Sequence, residues 1–359
     1  MWPRDMFVWF NNLPNPKKII IPPWSHSHDF AAGWKDTVPP LAGFVPKFDY
    51  DAELIRWYDY WLKGIDNGIM TEQPIRYFTM GATEKEAWRD TRQWPLPEER
   101  PSLYYLQAGP SGSIRSVNDG GLAEKAPGGD TGQDDYLADY TTSTGPATRW
   151  HNGRGGNFNY PDMAANDAKG LTYTTPPLKA AIEVTGHPVV HLWVSSTADD
   201  GDFFAYLEEV DETGVSRYLT EGVLRASHRK LAPPPFSYMN LPYHRSYAED
   251  VAPLPAGQPV ELVFDLHPTS NIFDAGHRIR LTITCADQTS FETPVLSPAP
   301  RVTVHRNSRF ASYVQLPVIP GPVAEEAAKG FVLSTTLLVA FLIAAVIALF
   351  LILRARLRR

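Results

Sequence analysis

The chain has one cysteine in 359 residues, Cys285, so no internal disulfide can brace the fold. That thiol falls on the apolar side of an alternating strand and reads as a small hydrophobic packing group. The globular part lacks any cluster of Lys and Arg interleaved with aromatics, and the net charge is −7 with a pI near 5.8, which excludes nucleic acid as a partner. No internal repeat is visible. The N-terminus, Met1-Trp2-Pro3-Arg4-Asp5, lacks the basic region, apolar core and small-residue cleavage site of an export signal. Ser25 and Ser27 lack the Gly-x-Ser-x-Gly setting that exposes a nucleophilic serine on a strained turn.

Proline and aromatics are abundant: 33 prolines and 12% aromatic residues suit a loop-rich β protein, and 43% hydrophobic content is ordinary for a folded chain. The pattern predicts a short helix over 3–13, with Pro3 in the first turn and Met6, Phe7 and Phe10 on one side. Three isoleucines, Ile19 to Ile21, predict a strand buried on both faces, as in a parallel sheet. A second helix, about 51–63, starts at Asp49 or Asp51 and closes at Gly64. After Asn67-Gly68 strands dominate: 74–80, 103–107, 171–174, 178–185, 188–196, 202–210, 215–226, 259–266, 277–285 and 301–305. In the strand at 259–266, Val260, Leu262, Phe264 and Leu266 alternate with Glu261, Val263 and Asp265. In that at 277–285, Ile279, Leu281, Ile283 and Cys285 alternate with Arg278, Arg280, Thr282 and Thr284, so each strand is expected to bury one face and keep one largely polar face. About ten short strands divided by Gly, Pro and Asp turns argue for a β-sandwich of jelly-roll type. The Gly-, Asp- and Ser-rich stretch 108–170 reads as a long loop region, and 316–330 as a stalk.

The chemistry concentrates after the Ile strand. Pro22 and Pro23 stop it, leaving Trp24, Ser25 and His26 on a loop where open α/β sheets place working side chains. His26 is the candidate general base. His28 makes a His-x-His pair with it, but no third ligand is close, so no metal or other cofactor is expected. Asp199-Asp200-Gly201-Asp202 is an acidic turn without the ligand spacing of an EF-hand, and it reads as a hairpin turn.

Pro23-Trp24-Ser25-His26 resembles the tetrapeptide that carries the catalytic histidine in CocE/NonD-family serine hydrolases, the cocaine esterase and Xaa-Pro dipeptidyl-peptidase group. The resemblance continues through Ile75-Arg76-Tyr77-Phe78-Thr79-Met80-Gly81, Trp88-Arg89 and Trp94-Pro95 to about residue 315. It implies the last strand and helices of an α/β-hydrolase domain over 1–66, and over 67–315 the jelly-roll domain found at the C-terminus of Xaa-Pro dipeptidyl-peptidases. It also implies hydrolysis of a small ester, amide or peptide by a Ser-His-Asp triad to which this chain contributes His26. In that fold the nucleophile and the acid precede the histidine. The 25 residues before His26 hold no serine but Ser25 and one carboxylate, Asp5, so the remaining triad members and the rest of the catalytic domain are expected upstream, in the same gene or a second chain, and this chain alone is expected to be inactive. The alternative is a surface-anchored jelly-roll binding module without catalysis.

From Phe331 to Leu353 the sequence is apolar apart from Ser334, Thr335 and Thr336, long enough as a helix for a hydrocarbon core of roughly 30 Å. Arg354, Arg356, Arg358 and Arg359 follow. The expectation is a transmembrane helix over 331–353, a basic cytoplasmic tail over 354–359, and a globular part outside the cell membrane. The expected fold class is therefore mainly β: a C-terminal jelly-roll sandwich preceded by an α/β-hydrolase remnant and followed by one transmembrane helix.

Overall fold

The computed structural model describes residues 3–23, 48–83, 85–152 and 161–321. Chain contacts divide it into two units, Met1–Ile319 and Pro320–Arg359, and every described element lies in the first. The order is α1 (Pro3–Asn12), β1 (Ile19–Ile21), α2 (Tyr50–Lys63), β2 (Ile75–Phe78), β3 (Trp88–Thr91), β4 (Arg100–Gln107), β5 (Gly120–Ala123), β6 (Gln133–Leu137), α3 (Arg149–Asn152) and α4 (Ala164–Asp167). Then come β7 (Leu171–Thr174), β8 (Ile182–Gly186), β9 (Val189–Ser196), β10 (Asp202–Val210), β11 (Ser216–Arg225), β12 (Val260–Asp265), β13 (Thr269–Phe273), β14 (Arg278–Thr284), β15 (Arg301–His305) and β16 (Tyr313–Ile319).

Thirteen strands form one hydrogen-bonded sheet along the path β11-β10-β14-β7-β5-β4-β16-β9-β15-β6, with β12 on β9 and β8 between β13 and β16. The sheet folds back on itself. Leu207 and Leu219 from one end of the path share a single apolar core with Tyr136 and Val304 from the other. All nine residues of β10 are buried, as expected for a strand covered on both faces.

The alternating pattern proved a guide to polarity rather than exposure. On β14 the apolar residues Ile279, Leu281 and Ile283 are buried as expected, but so are Arg280, Thr282 and Thr284. The polar face is covered because Asp167, on α4, receives Arg280 Nη1 at 2.8 Å and Thr282 Oγ1 at 3.1 Å, while Arg280 Nε reaches Thr174 Oγ1 at 3.0 Å. A buried guanidinium is tolerated only when so paired. On β12, likewise, Val263 and Asp265 are buried.

Two stretches read as irregular are ordered strands. Residues 108–170 contain β5 and β6, and 316–319 belong to β16, paired with β4, β8 and β9, instead of beginning a stalk. The glycines that argued against a strand at 120–123 are what permit one. Gly120 stands opposite Tyr173 of β7, and a Cβ there would lie 2.5 Å from its ring.

At the N-terminal end, β1 runs parallel to β2, which pairs antiparallel with β3. Only Ile19 of β1 is buried; Ile20 and Ile21 are half-buried, because β2 is its sole partner among the described residues. α1 packs over this sheet through Phe7, which is 1% exposed and stacks on Trp94 with ring centroids 4.2 Å apart. Ile19, Ile75, Tyr77, Leu96 and Met239 complete that cluster. Met6 is exposed rather than sharing the buried side. α2 is capped as its sequence indicates: Asp49 accepts from Ala52 N at 2.9 Å, and Gly64 closes the helix at φ 70°. It buries none of its residues.

The expected transmembrane helix is a correction to the fold class. No helix among the described residues is long and apolar enough to cross a membrane. The longest, α2, has 14 residues and carries charges along its length, and 331–353 itself lies outside the described residues. The architecture is mainly β sheet with few helices.

Replacing Phe7 by Ala removes the ring that joins α1 to Trp94. Equilibrium urea unfolding is expected to register a loss of about 3–4 kcal/mol, within the range for deleting a buried aromatic. A change below about 1 kcal/mol would mean that α1 is not part of the cooperative fold.

Candidate functional site

β1 ends at Ile21, and the described chain continues to Pro23. His26, with Trp24, Ser25, Ser27 and His28, lies outside the described residues. What the structure does place is the surface on which the helix and strand leading to His26 rest.

Beneath the first turn of α1 is a seam of buried polar groups drawn from distant parts of the chain. Arg4 Nη1 reaches both carboxylate oxygens of Asp265 at 3.4 Å, and Asp265 Oδ2 lies 3.9 Å from His187 Nδ1. Neither ring nitrogen of His187 has a hydrogen-bond partner among the described residues. The ring is held edge-on by Phe7 and Trp94, with centroids at 6.2 and 6.3 Å. Burial, reinforced by the Arg4 charge, pushes its pKa down to about 3. Burial pushes the Asp265 carboxyl up, against the pull of Arg4. His244 Nε2, bonded to Val263 O at 2.9 Å, flanks the same carboxylate.

Two residues past β12 the seam continues to β11. His267 N donates to Glu221 O at 3.0 Å, and Thr220 Oγ1 donates to His267 O at 2.7 Å. Gly222 lets these segments touch, since a Cβ there would lie 2.5 Å from Asp265 O. Glu221 is buried. Its Oε1 accepts from Trp150 Nε1 at 2.9 Å and lies 3.3 Å from Arg149 Nε, whereas Oε2 has no hydrogen-bond partner among the described residues. Arg149 is fixed by Tyr218 Oη at 3.2 Å, Leu219 O at 3.3 Å and Thr220 Oγ1 at 3.2 Å. Burial pushes the Glu221 carboxyl up, and burial with the nearby Arg149 charge pushes the His267 ring down to about 2. Both imidazoles are therefore neutral at pH 7. The seam holds charge in paired form and keeps unpaired acceptors on His187, His267 and Glu221.

No sequence signal marked these residues. Arg4 and Asp265 are 261 positions apart, and contacts at that separation leave no local period. The other sequence candidates resolve into structural roles. In the acidic turn, Asp202 takes Arg225 Nε at 2.7 Å and Nη2 at 3.0 Å, and Asp200 Oδ1 accepts from Ser227 N at 2.8 Å. Cys285 is buried in the main apolar core, which pushes its thiol up to about 12. Ser195 Oγ lies 3.1 Å from His305 Nε2, but this serine sits on β9, paired with β15, and not on a strained turn that exposes a nucleophile.

Residues 67–315 match the X-Pro dipeptidyl-peptidase C-terminal non-catalytic domain. A protein of Mycobacterium bovis named as a serine esterase is 44% identical over 84% of this chain and 45% of its own length. Cocaine esterase of a Rhodococcus species is 28% identical over 84% of this chain and 51% of its own. The chain thus spans about half the length of the curated relatives it matches. Among solved structures, a CocE/NonD family hydrolase from Staphylococcus aureus covers 75% of this chain and 45% of its own, with a TM-score of 0.56 at 16% identity. An α-amino acid ester hydrolase covers 84% and 50%, with a TM-score of 0.59 at 19% identity. At such identity the two structures speak for the fold alone.

The seam carries a pH signature. His187 and His267 have folded pKa values below the unfolded value of about 6.5, so between those limits the unfolded chain binds more protons. Their contribution is fully present above pH ~6.5 and is lost as pH falls toward the folded values. The carboxyls of Asp265 and Glu221, raised by burial, act in the opposite sense. Comparing wild type with His187→Phe isolates the imidazole: between pH 6 and 4 the variant is expected to gain on wild type by about 1 kcal/mol per pH unit. Urea midpoints at several pH values measure this, and parallel curves would show that His187 does not titrate with unfolding.

Proposed function

We infer that this chain, which belongs to the family of X-Pro dipeptidyl-peptidase C-terminal non-catalytic domains and forms the C-terminal portion of a CocE/NonD-type hydrolase, supplies the general-base histidine of a serine hydrolase. The observation that carries this reading is the sequence Pro23-Trp24-Ser25-His26 that follows β1, a strand parallel to its neighbour and followed by two prolines. His26 would take the proton of a serine hydroxyl as it attacks an ester or amide carbonyl and return it to the leaving group. A carboxylate on the other ring nitrogen would fix the tautomer. Serine and carboxylate would come from polypeptide outside these 359 residues. The coverage of relatives, about half their length, supports that assignment. The substrate class is an acyl ester, an amide or an Xaa-Pro peptide, in keeping with relatives named as serine esterase, cocaine esterase and Xaa-Pro dipeptidyl-peptidase.

A second reading has its own support. The matched family is described as non-catalytic, and its match covers 67–315, so these residues would form a binding or supporting module whose seam carries α1.

The 359-residue chain is expected to show no turnover of nitrophenyl esters or Xaa-Pro nitroanilides. In a longer protein that includes the serine and the acid, His26→Ala is expected to lower kcat by about 10⁴ or more. Turnover by the chain alone that His26→Ala abolishes would defeat the proposed division of the triad. An unaffected kcat in the longer protein would remove His26 from the mechanism.

A further inference from the structure

The turn between β13 and β14 gathers side chains that neither the seam nor the proposed hydrolysis uses. Glu209 lies on β10, Asn271 on β13, and Asp274 and His277 flank Ala275-Gly276 in the turn itself. The turn is tight, with His277 N donating to Asp274 O at 3.1 Å and Gly276 at φ 87°. It is brought onto β10 by the register of β14, in which Ile279 stands opposite Glu209.

One ligand atom from each of Glu209, Asp274 and His277 lies within 4.8 Å of the other two. With a neutral imidazole the group carries two negative charges, the amount a divalent cation cancels. A second observation comes from Asn271. Its side chain is fully buried, and Nδ2 donates to Glu209 Oε2 at 3.0 Å, while Oδ1 has no hydrogen-bond partner among the described residues. An unused buried acceptor is costly. It belongs to the amide that abuts the Glu209 carboxylate; turning that amide over gives up the Nδ2 hydrogen bond and sets oxygen against oxygen, an arrangement that needs a cation between them. The oxygen would then stand 3.0 Å from Glu209 Oε2. Ligand bonds of about 2.0–2.1 Å separate neighbouring ligand atoms by about 2.9–3.4 Å, so that is the spacing of two atoms on one ion.

We propose that Glu209, Asp274, His277 and the amide oxygen of Asn271 form a site for a divalent transition-metal ion. Zinc best suits a donor set of two carboxylates, one imidazole nitrogen and one neutral oxygen; calcium and magnesium favour all-oxygen shells. Glu209 and Asn271 are buried, whereas Asp274 is exposed, which leaves one side open for entry. Without an ion, the His277 Nδ1 contact to Glu209 Oε1 at 2.7 Å closes the site as a hydrogen bond. Binding replaces the Nδ1 proton: a neutral ring moves its proton to Nε2, and a charged ring releases one to solvent. The ion would then tie the β13–β14 turn to β10.

The test is titration of zinc chloride into the metal-free full chain, followed by calorimetry and by thermal unfolding. The expected result is a single binding event at micromolar zinc or tighter, accompanied by a rise in unfolding temperature. Binding should weaken by about tenfold or more in His277→Ala and in Asp274→Ala. Asp274 is exposed, so that variant separates loss of a ligand from loss of the fold. No binding below about 1 mM zinc, or binding unchanged in both variants, would overturn the site.

Discussion

The stack of Phe7 on Trp94 is the contact on which the arrangement of the N-terminal segment depends. The two rings are 4.2 Å apart and nearly parallel, and Tyr77 and His187 close on Trp94 edge-on. One indole therefore gathers α1, β2 and the strand turn before β9. With Phe7 anchored, Arg4 falls one turn earlier in the helix and meets Asp265. Ile19 falls into the same apolar cluster, which holds β1 beside β2. The placement of β1, which precedes His26 in sequence, thus follows from a contact made 12 residues before the strand begins.

The fold accepts this helix because β12 presents a polar residue where the helix lands. Asp265 and Arg280 illustrate one rule. Each lies on the polar side of an alternating strand, each is buried, and each is paired with a group from a distant element. Removing one partner of such a pair leaves a charge in a low-dielectric interior, so the pairs constrain how the elements assemble even where they add little net stability. Burial raises the Asp167 and Asp265 carboxyls while their arginines oppose it, which is the expected balance for paired groups out of water.

The legible part of the fold was the part governed by local chemistry. Strands at 171–174, 202–210 and 301–305 fall where period and turn residues put them, and α2 begins and ends at its Asp49 and Gly64 caps. Exposure was not legible, because alternation distinguishes apolar from polar and cannot tell a solvated threonine from Thr282 bonded to Asp167. β5 was hidden by glycines whose reason is the ring of Tyr173, 53 positions on. For the candidate site, His26 was marked by a motif read along the chain. The seam residues were not, since Arg4, Arg149, His187, Glu221 and Asp265 become neighbours only through packing.

The helices add a physical argument to the catalytic one. Met6, Trp9 and Leu13 expose one stripe of α1 and the turn after it, and Ile55, Tyr58 and Leu62 expose another along α2, with Leu62 at 76%. Apolar residues at this spacing mark a face built to be covered. In the thirteen-stranded sheet most apolar residues instead fill a continuous core, Leu137 of β6 being an exception. Exposed apolar residues occur elsewhere too, such as Leu137, Leu231 and Val295, but the two helical stripes lie on either side in sequence of the stretch that holds His26. On the proposed reading, the polypeptide that brings serine and carboxylate to His26 would approach through α1 and α2, where the apolar surface is open. Completing the triad and covering the helices would then be one docking event, and uncovered helices on either side of the sequence that holds His26 are what the proposal requires of this chain.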